Sequence, residues 1–370
     1  MPATAGNFPC KGCGGTLSFE PGTESLKCPF CGVENEIARG EESIDEHDLL
    51  SAIETLSSQA QGEADDKILV KCTACGAQAE LPENVTSGTC PFCGTPQVAV
   101  RESRKLIKPG SVLPFAVEAG KGRELFRGWL AGRWFAPSDL MRAAAMDGVL
   151  QGWYIPYWTY DSRVETDYTG YRGDDYYVPV TRTVFVNGKA QTRTVMERRT
   201  RWSYASGRVR NAFDDVQVPA SNSLPAKHIE TISEGSGWDV KNLVPYKDEY
   251  LAGLRAESYT VDLRQGFEVA KGKMMETVRV TVRRDIGGDH QRITSMNPRF
   301  SDLTYKHLLV PIWLAAYRYG GTSYRFLINA RTGAVSGDRP YSAWKITGFV
   351  LAMLALAGVI ALVVMLSKAR

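Results

Sequence analysis

The sequence predicts a multidomain protein: two small four-cysteine ribbons, an α+β body and one C-terminal transmembrane helix. Three observations carry this reading. All eight cysteines fall within the first 93 residues, as four C-x-x-C pairs. An uncharged apolar run, Ile346 to Leu366, lies near the C-terminus. Between them runs a long segment without low-complexity sequence. A chain of 370 residues suffices for two or three units, each burying its own core. In order, the expected units are ribbon 1 at 1–40, an amphipathic helical linker at 41–66 and ribbon 2 at 67–102. The body follows at 103–340 and the anchor at 344–367.

The pairs are Cys10/Cys13, Cys28/Cys31, Cys72/Cys75 and Cys90/Cys93. Each ribbon reads C-x2-C-x14-C-x2-C, and the second repeats the first 62 residues later. Two residues between thiolates let one tight turn aim both sulfurs at a single ion, with Zn–S near ~2.3 Å. The glycine after each C-P-F-C-G knuckle, Gly32 and Gly94, supplies backbone freedom there. Four thiolate ligands leave no open position for water, so two zinc ions with structural roles are expected. Redox dithiols and an iron–thiolate or iron–sulfur centre are the competing chemistries, and the duplicated spacing favours zinc. The N-terminus carries no apolar signal-peptide core, and paired thiols without an export signal read as metal ligands in a reducing compartment.

Charge separates head from body. Residues 1–100 carry 15 Asp/Glu and 5 Lys/Arg, a balance of −10, while the remainder carries 26 and 39, a balance of +13. Two zinc–tetrathiolate sites would take the head to about −14. Phosphate backbones demand Lys and Arg, so the acidic head disfavours nucleic acid as a ligand of the ribbons and favours protein contact.

In the linker, Ser43 and Glu46 form a capping-box pattern before Ile44, Leu49, Leu50, Ile53 and Leu56, which predicts a helix over 43–60. His47 reads as a solvated side chain.

The body should mix helices and hairpins. Leu125, Phe126, Trp129, Leu130 and Arg133 to Phe135 outline a helix that Pro137 stops. Gln151 to Tyr160 is aromatic-rich and reads as a buried strand. Val180–Val186 and Arg193–Trp202 flank Asn187-Gly188, a hairpin signal. Phe267, Ala270, Met274 and Val278 suggest a helix ending near Gly287-Gly288, and a second hairpin is expected around Gly320-Gly321. Leu113-Pro114-Phe115 and Ile155-Pro156-Tyr157-Trp158 are echoed by Val244-Pro245-Tyr246 and Val310-Pro311-Ile312-Trp313, which raises an internal duplication. Chance recurrence of a short motif is the alternative.

The first hairpin is basic. Residues 178–210 hold Arg182, Lys189, Arg193, Arg198, Arg199, Arg201, Arg208 and Arg210 against Glu197 alone. A charged solvent face explains this, and so does contact with anionic lipid headgroups or another polyanion.

The 21 residues from Ile346 to Leu366 would span about 31 Å as a helix, against a hydrocarbon core of about 30 Å. Trp344 and Lys345 mark one edge, Lys368 and Arg370 the other. Four residues follow, so a tail anchor is expected. Reduced cysteines place the folded part in the cytoplasm, against the inner membrane. No phosphate loop, G-x-S-x-G elbow or H-E-x-x-H pair occurs, so nothing in the sequence asks for an enzyme. Arg284 to His290 is the most polar Gly-rich cluster, and it reads as a helix C-terminal turn before a cation site.

The paired ribbons, Val244–Gly253, Arg283–Arg292, Tyr305–Tyr319, Phe326–Ile346 and the apolar span together resemble a bacterial family. Its members are labelled as transcription-factor-IIB-type zinc-ribbon proteins, or after the primosomal replication helicase. The helicase label does not suit a chain without a phosphate loop. The resemblance implies a membrane adaptor that recruits protein partners in envelope stress. A membrane-tethered, nucleic-acid-associated ribbon protein without a motor is the alternative.

Overall fold

The computed structural model describes residues 8–37, 44–59, 69–71, 78–80, 87–89, 96–98, 101–102, 107–140, 150–186, 189–233 and 238–368. The first ribbon is a three-stranded antiparallel sheet of β1 (Ser18–Phe19), β2 (Ser25–Lys27) and β3 (Glu34–Glu36). Next come β4 (His47–Asp48) and α1 (Leu49–Gln59). The backbone of β5 (Leu69–Lys71), β6 (Gln78–Glu80), β7 (Ser87–Thr89), β8 (Pro96–Val98) and β9 (Arg101–Glu102) forms two small antiparallel sheets, β6-β5-β9 and β7-β8. Cys72, Cys75, Cys90 and Cys93 lie outside the described residues.

The body opens with β10 (Ser111–Val112) and α2 (Ala119–Ala131), followed by β11 (Gln151–Val186), β12 (Lys189–Pro219) and α3 (Ala226–Ile232). Then come β13 (Val244–Pro245), β14 (Arg255–Ala256), α4 (Leu263–Ile286), β15 (His290–Tyr319), β16 (Thr322–Asn329), β17 (Val335–Gly337) and α5 (Ala343–Lys368). One sheet takes in β4 and all the body strands, in the order β12-β11-β15-β10-β13, with β14 added on β11 and β16 on β15.

Three strands are far longer than turn signals alone suggest. β11 runs for 36 residues, a contour of about 120 Å, and pairs antiparallel with both β12 and β15. The register shifts near Ser162, and Asp215 and Asp302 take positive φ on the flanking strands. Bulges of this kind bend and twist a long sheet locally. On both sides of the bulge, α4 covers one face. Leu263, Ala270, Met274, Val278, Val282 and Ile286 recur mostly every fourth residue and bury against Trp158, Tyr160, Val164, Tyr168 and Val209. Gly266 is required there, because a Cβ would overlap the Tyr160 hydroxyl. An Asp262–Gln265 capping box starts α4, and Gly287, at φ 66°, ends it. The helix expected from Phe267 to Val278 is therefore present, and the Gly-rich cluster is its C-terminal turn.

Past Gly173, where β15 begins opposite at His290, β11 and β12 continue as a two-stranded arm closed by the Val186–Lys189 pair. The Asn187-Gly188 turn lies outside the described residues. The second expected hairpin is present: Tyr319 pairs with Thr322 across Gly320 and Gly321, both at positive φ.

Two helix boundaries differ from the sequence reading. The linker helix starts at Leu49, because His47–Asp48 is recruited as a strand against Thr304–Tyr305. Asp48, not Ser43, caps it, accepting from the Ser51 amide at 2.7 Å, while Glu46 turns to Lys306 at 3.0 Å. Ser43 lies outside the described residues, and the His47 ring packs against Tyr305. α2 ends at Ala131, with Gly132 as its cap, so Arg133–Phe135 belong to the following loop.

The body's two halves make matching hydrogen bonds. Trp313 Nε1 donates to the Val117 carbonyl at 2.7 Å, and Trp158 Nε1 to the Val261 carbonyl at 2.9 Å. Val117 N donates to Ala330 O, and Val261 N to Ala220 O. Ala330 N in turn donates to Pro311 O, and Ala220 N to Pro156 O. Ile155 pairs directly with Val310. Glu257 N donates to Tyr154 O much as Leu113 N donates to Leu309 O. Val244–Pro245 instead lies antiparallel beside Ser111–Val112.

α5 is long and apolar enough to cross a membrane, and its apolar window is wholly unburied. It leaves the end of the body where β15 turns into β16: Tyr319 Oη donates to Asp139, and Ser342 N to the Phe135 carbonyl. The arm leaves the opposite end of β15.

Candidate metal centre and basic arm

In ribbon 1, two knuckles face each other. Each is a tight turn closed by a glycine amide, Gly14 N to Cys10 O and Gly32 N to Cys28 O, both at 2.9 Å. Gly14 and Gly32 sit at φ 73° and 75°, a conformation that favours glycine, as expected for Gly32. The turns bring Cys10, Cys13, Cys28 and Cys31 together, with all four sulfurs within 4.8 Å of one another. The closest approaches, Cys10–Cys31 and Cys13–Cys28, are 3.5 Å. That is far beyond the ~2.05 Å of a disulfide. A tetrahedron with ~2.3 Å metal–sulfur bonds has edges of about 3.8 Å, so the box fits a four-coordinate ion.

Electrostatics point the same way. The Cys31 amide draws the Cys28 thiol down to about 6. Cys10 is lowered by the Cys13 amide, and Gly12 N donates to its sulfur at 3.3 Å. The Val33 amide pulls Cys31 down, yet the neighbouring sulfurs of Cys13 and Cys10 push it up to about 12. Four thiols this close cannot all ionise unaided. A divalent cation at their centre would remove that conflict.

Cys10 and Cys28 are buried, and Cys13 and Cys31 exposed. Beneath them Leu17, Phe19, Leu26 and Ile37 pack against Tyr250 and Ala252 of the body. Phe19 N donates to Ala252 O at 2.9 Å, and Gly22 N to Phe115 O at 3.0 Å. Ribbon 1 is therefore docked, which no sequence signal indicated. Phe30, between Cys28 and Cys31, lies over Gly15 and remains 78% exposed.

A second acidic group, Glu46, Asp161 and Asp214, lies close together in space. Lys306 lies beside it, with Nζ 3.0 Å from Glu46 and 2.8 Å from Asp215, the residue after Asp214. The Glu46–Lys306 pair joins the linker to β15.

The basic residues of the hairpin are less free than their sequence suggests. Arg208 bridges Glu165 and Asp167, and Arg210 pairs with Glu165. Arg198 reaches Asp175, while Arg182 and Arg199 share Glu197. Long antiparallel pairing places acids of β11 opposite the arginines of β12, so Glu197 is not the sole counter-charge. Arg193 and Arg201 have no ion pair among the described residues. The side chain of Lys189 lies outside them. The arm also exposes Tyr176, Tyr177, Val195 and Met196.

No protein-family model matches the chain, and no solved structure does. The chain is similar to "Uncharacterized protein YdjG" of Bacillus subtilis (strain 168), with 24% identity over 355 residues, covering 93% of this chain and 92% of that protein.

Proposed function

We propose that this protein is a membrane-anchored adaptor whose folded part lies in the cytoplasm, on the inner membrane, and whose β-arm holds a protein partner. The arm carries the reading. From residue 174 to 201 it has two strands and no third among the described residues, so both edges offer unpaired backbone groups. Tyr176, Tyr177, Val195 and Met196 add exposed apolar surface. A strand-adding protein would satisfy both features. Nucleic acid is disfavoured, because five of the basic hairpin's arginines, Arg182, Arg198, Arg199, Arg208 and Arg210, are already paired with carboxylates and few remain for phosphates.

In this reading α5 crosses the bilayer, and the arm projects from the far end of β15, roughly 95 Å of strand contour from the anchor. Contact between the arm's basic residues and headgroups of the same membrane is correspondingly disfavoured. The ion in ribbon 1 is zinc, held structurally by Cys10, Cys13, Cys28 and Cys31, and it stiffens the segment seated on Tyr250 and Ala252. A second zinc at Cys72, Cys75, Cys90 and Cys93 belongs to the same proposal. So does descent of the two halves of the body from one duplicated unit, which their matched hydrogen bonds support.

The test is site-specific photocrosslinking at Tyr177 and, as a control, at Glu276 on α4, in native membranes. A discrete protein adduct from Tyr177 that disappears when 174–201 is replaced by a two-residue turn supports the adaptor. Equal adducts from both sites, or nuclease-sensitive adducts, would overturn it.

A further inference from the structure

We infer that the loop after α2 and the first turn of α5 form a seat for the phosphate of an anionic phospholipid. The inference rests on the reading that α5 crosses a bilayer. A groove of about 380 Å³ lies between them, lined by Leu130, Arg133, Trp134, Ala136, Leu140 and Lys345 among others. Lys345 Nζ donates one hydrogen bond to the Ala136 carbonyl at 2.7 Å, which ties the helix to the loop and leaves the ammonium at the groove. The Arg133 guanidinium lies over the Trp129 ring at 4.6 Å. Its Nε is buried with no hydrogen-bond partner among the described residues. A phosphate in the groove would meet both cations together. Among the described residues no carboxylate lines the groove, and nearby Asp139 is engaged by the Tyr319 hydroxyl.

The occupant follows from depth. Phe135 packs edge-to-face on Phe349 at 5.5 Å, and Phe349 lies three residues inside the uncharged stretch that begins at Ile346. The loop therefore reaches about 5 Å along the apolar part of the helix. Trp134 and Trp344, the chain neighbours of Phe135 and Lys345, are 76% and 86% exposed, and indoles favour the headgroup region. With Ser342 N bonded to Phe135 O, loop and helix are held as one surface. Two cations at headgroup depth beside an apolar floor suit a lipid phosphate better than a free one.

The experiment uses the full chain in mixed micelles with equal phosphatidylglycerol and phosphatidylcholine, with retained lipid read by native mass spectrometry. The wild type should retain phosphatidylglycerol selectively. The Arg133→Gln, Lys345→Gln double variant should lose about 25-fold in retention, at about fivefold for each basic residue. Arg133→Lys with Lys345→Arg, which keeps both charges, should hold most of it, separating lost charge from lost folding. Excess glycerol phosphate should not compete, and competition would overturn the lipid assignment. Carbonate extraction divides the two readings. Release of the wild type sinks the membrane span and this site together. A wild type that stays embedded while the Gln variant binds lipid equally well sinks this site alone.

Discussion

His307 links the packing of the body to pH. Its ring lies 4.5 Å from Trp158 and 5.5 Å from Tyr259, and Nδ1 donates to the Ile107 carbonyl at 2.9 Å. With the proton on Nδ1, Nε2 is a bare lone pair, buried and without a partner among the described residues. Burial pushes the imidazole from 6.5 down to about 4. In acid the unfolded chain takes the proton first, so stability from this residue is complete above pH 6.5 and drains as pH falls towards 4. Integrated over that window, the loss is about 3 kcal/mol. The perturbation is His307→Gln, which keeps a donor for Ile107 and cannot be protonated. Urea unfolding of wild type and variant across the window isolates the histidine, because the carboxylates titrate in both. Wild type should lose about 3 kcal/mol more than the variant. Parallel stability profiles would refute a neutral, buried His307 and the packing of Ile107 against β15.

Cys28→Ser should remove one equivalent of bound metal by elemental analysis and expose the Phe19–Tyr250 contact to proteolysis, whereas unchanged metal content would exclude the four-thiol centre. Trp158→Phe and Trp313→Phe each leave a carbonyl, Val261 or Val117, without its indole donor. Each should cost about 1–3 kcal/mol in urea unfolding, before any loss of packing. A large cost for one and none for the other would show that the two halves are not equivalent in energy.

The sequence by itself determined what local chemistry decides. Cysteine spacing assembles Cys10, Cys13, Cys28 and Cys31, because a knuckle needs only a few consecutive residues and a glycine such as Gly32. Turns at Gly287 and Gly320-Gly321 were legible for the same reason, and so was an apolar run long enough to form α5. Only the tertiary structure decided which residues face one another across long distances in the chain. Arg208 looks unopposed in sequence, yet its acid, Asp167, stands 41 residues away on β11. Helix α1 begins only at Leu49 because β15 claims His47–Asp48 as a strand partner, which no local capping rule weighs. Arg133 and Lys345, more than two hundred residues apart, meet because Phe135 packs on Phe349. Local motifs are short-range bargains between neighbours, whereas strand register and docking minimise the free energy of the whole chain. Those are the terms that gave this protein its arm and its groove.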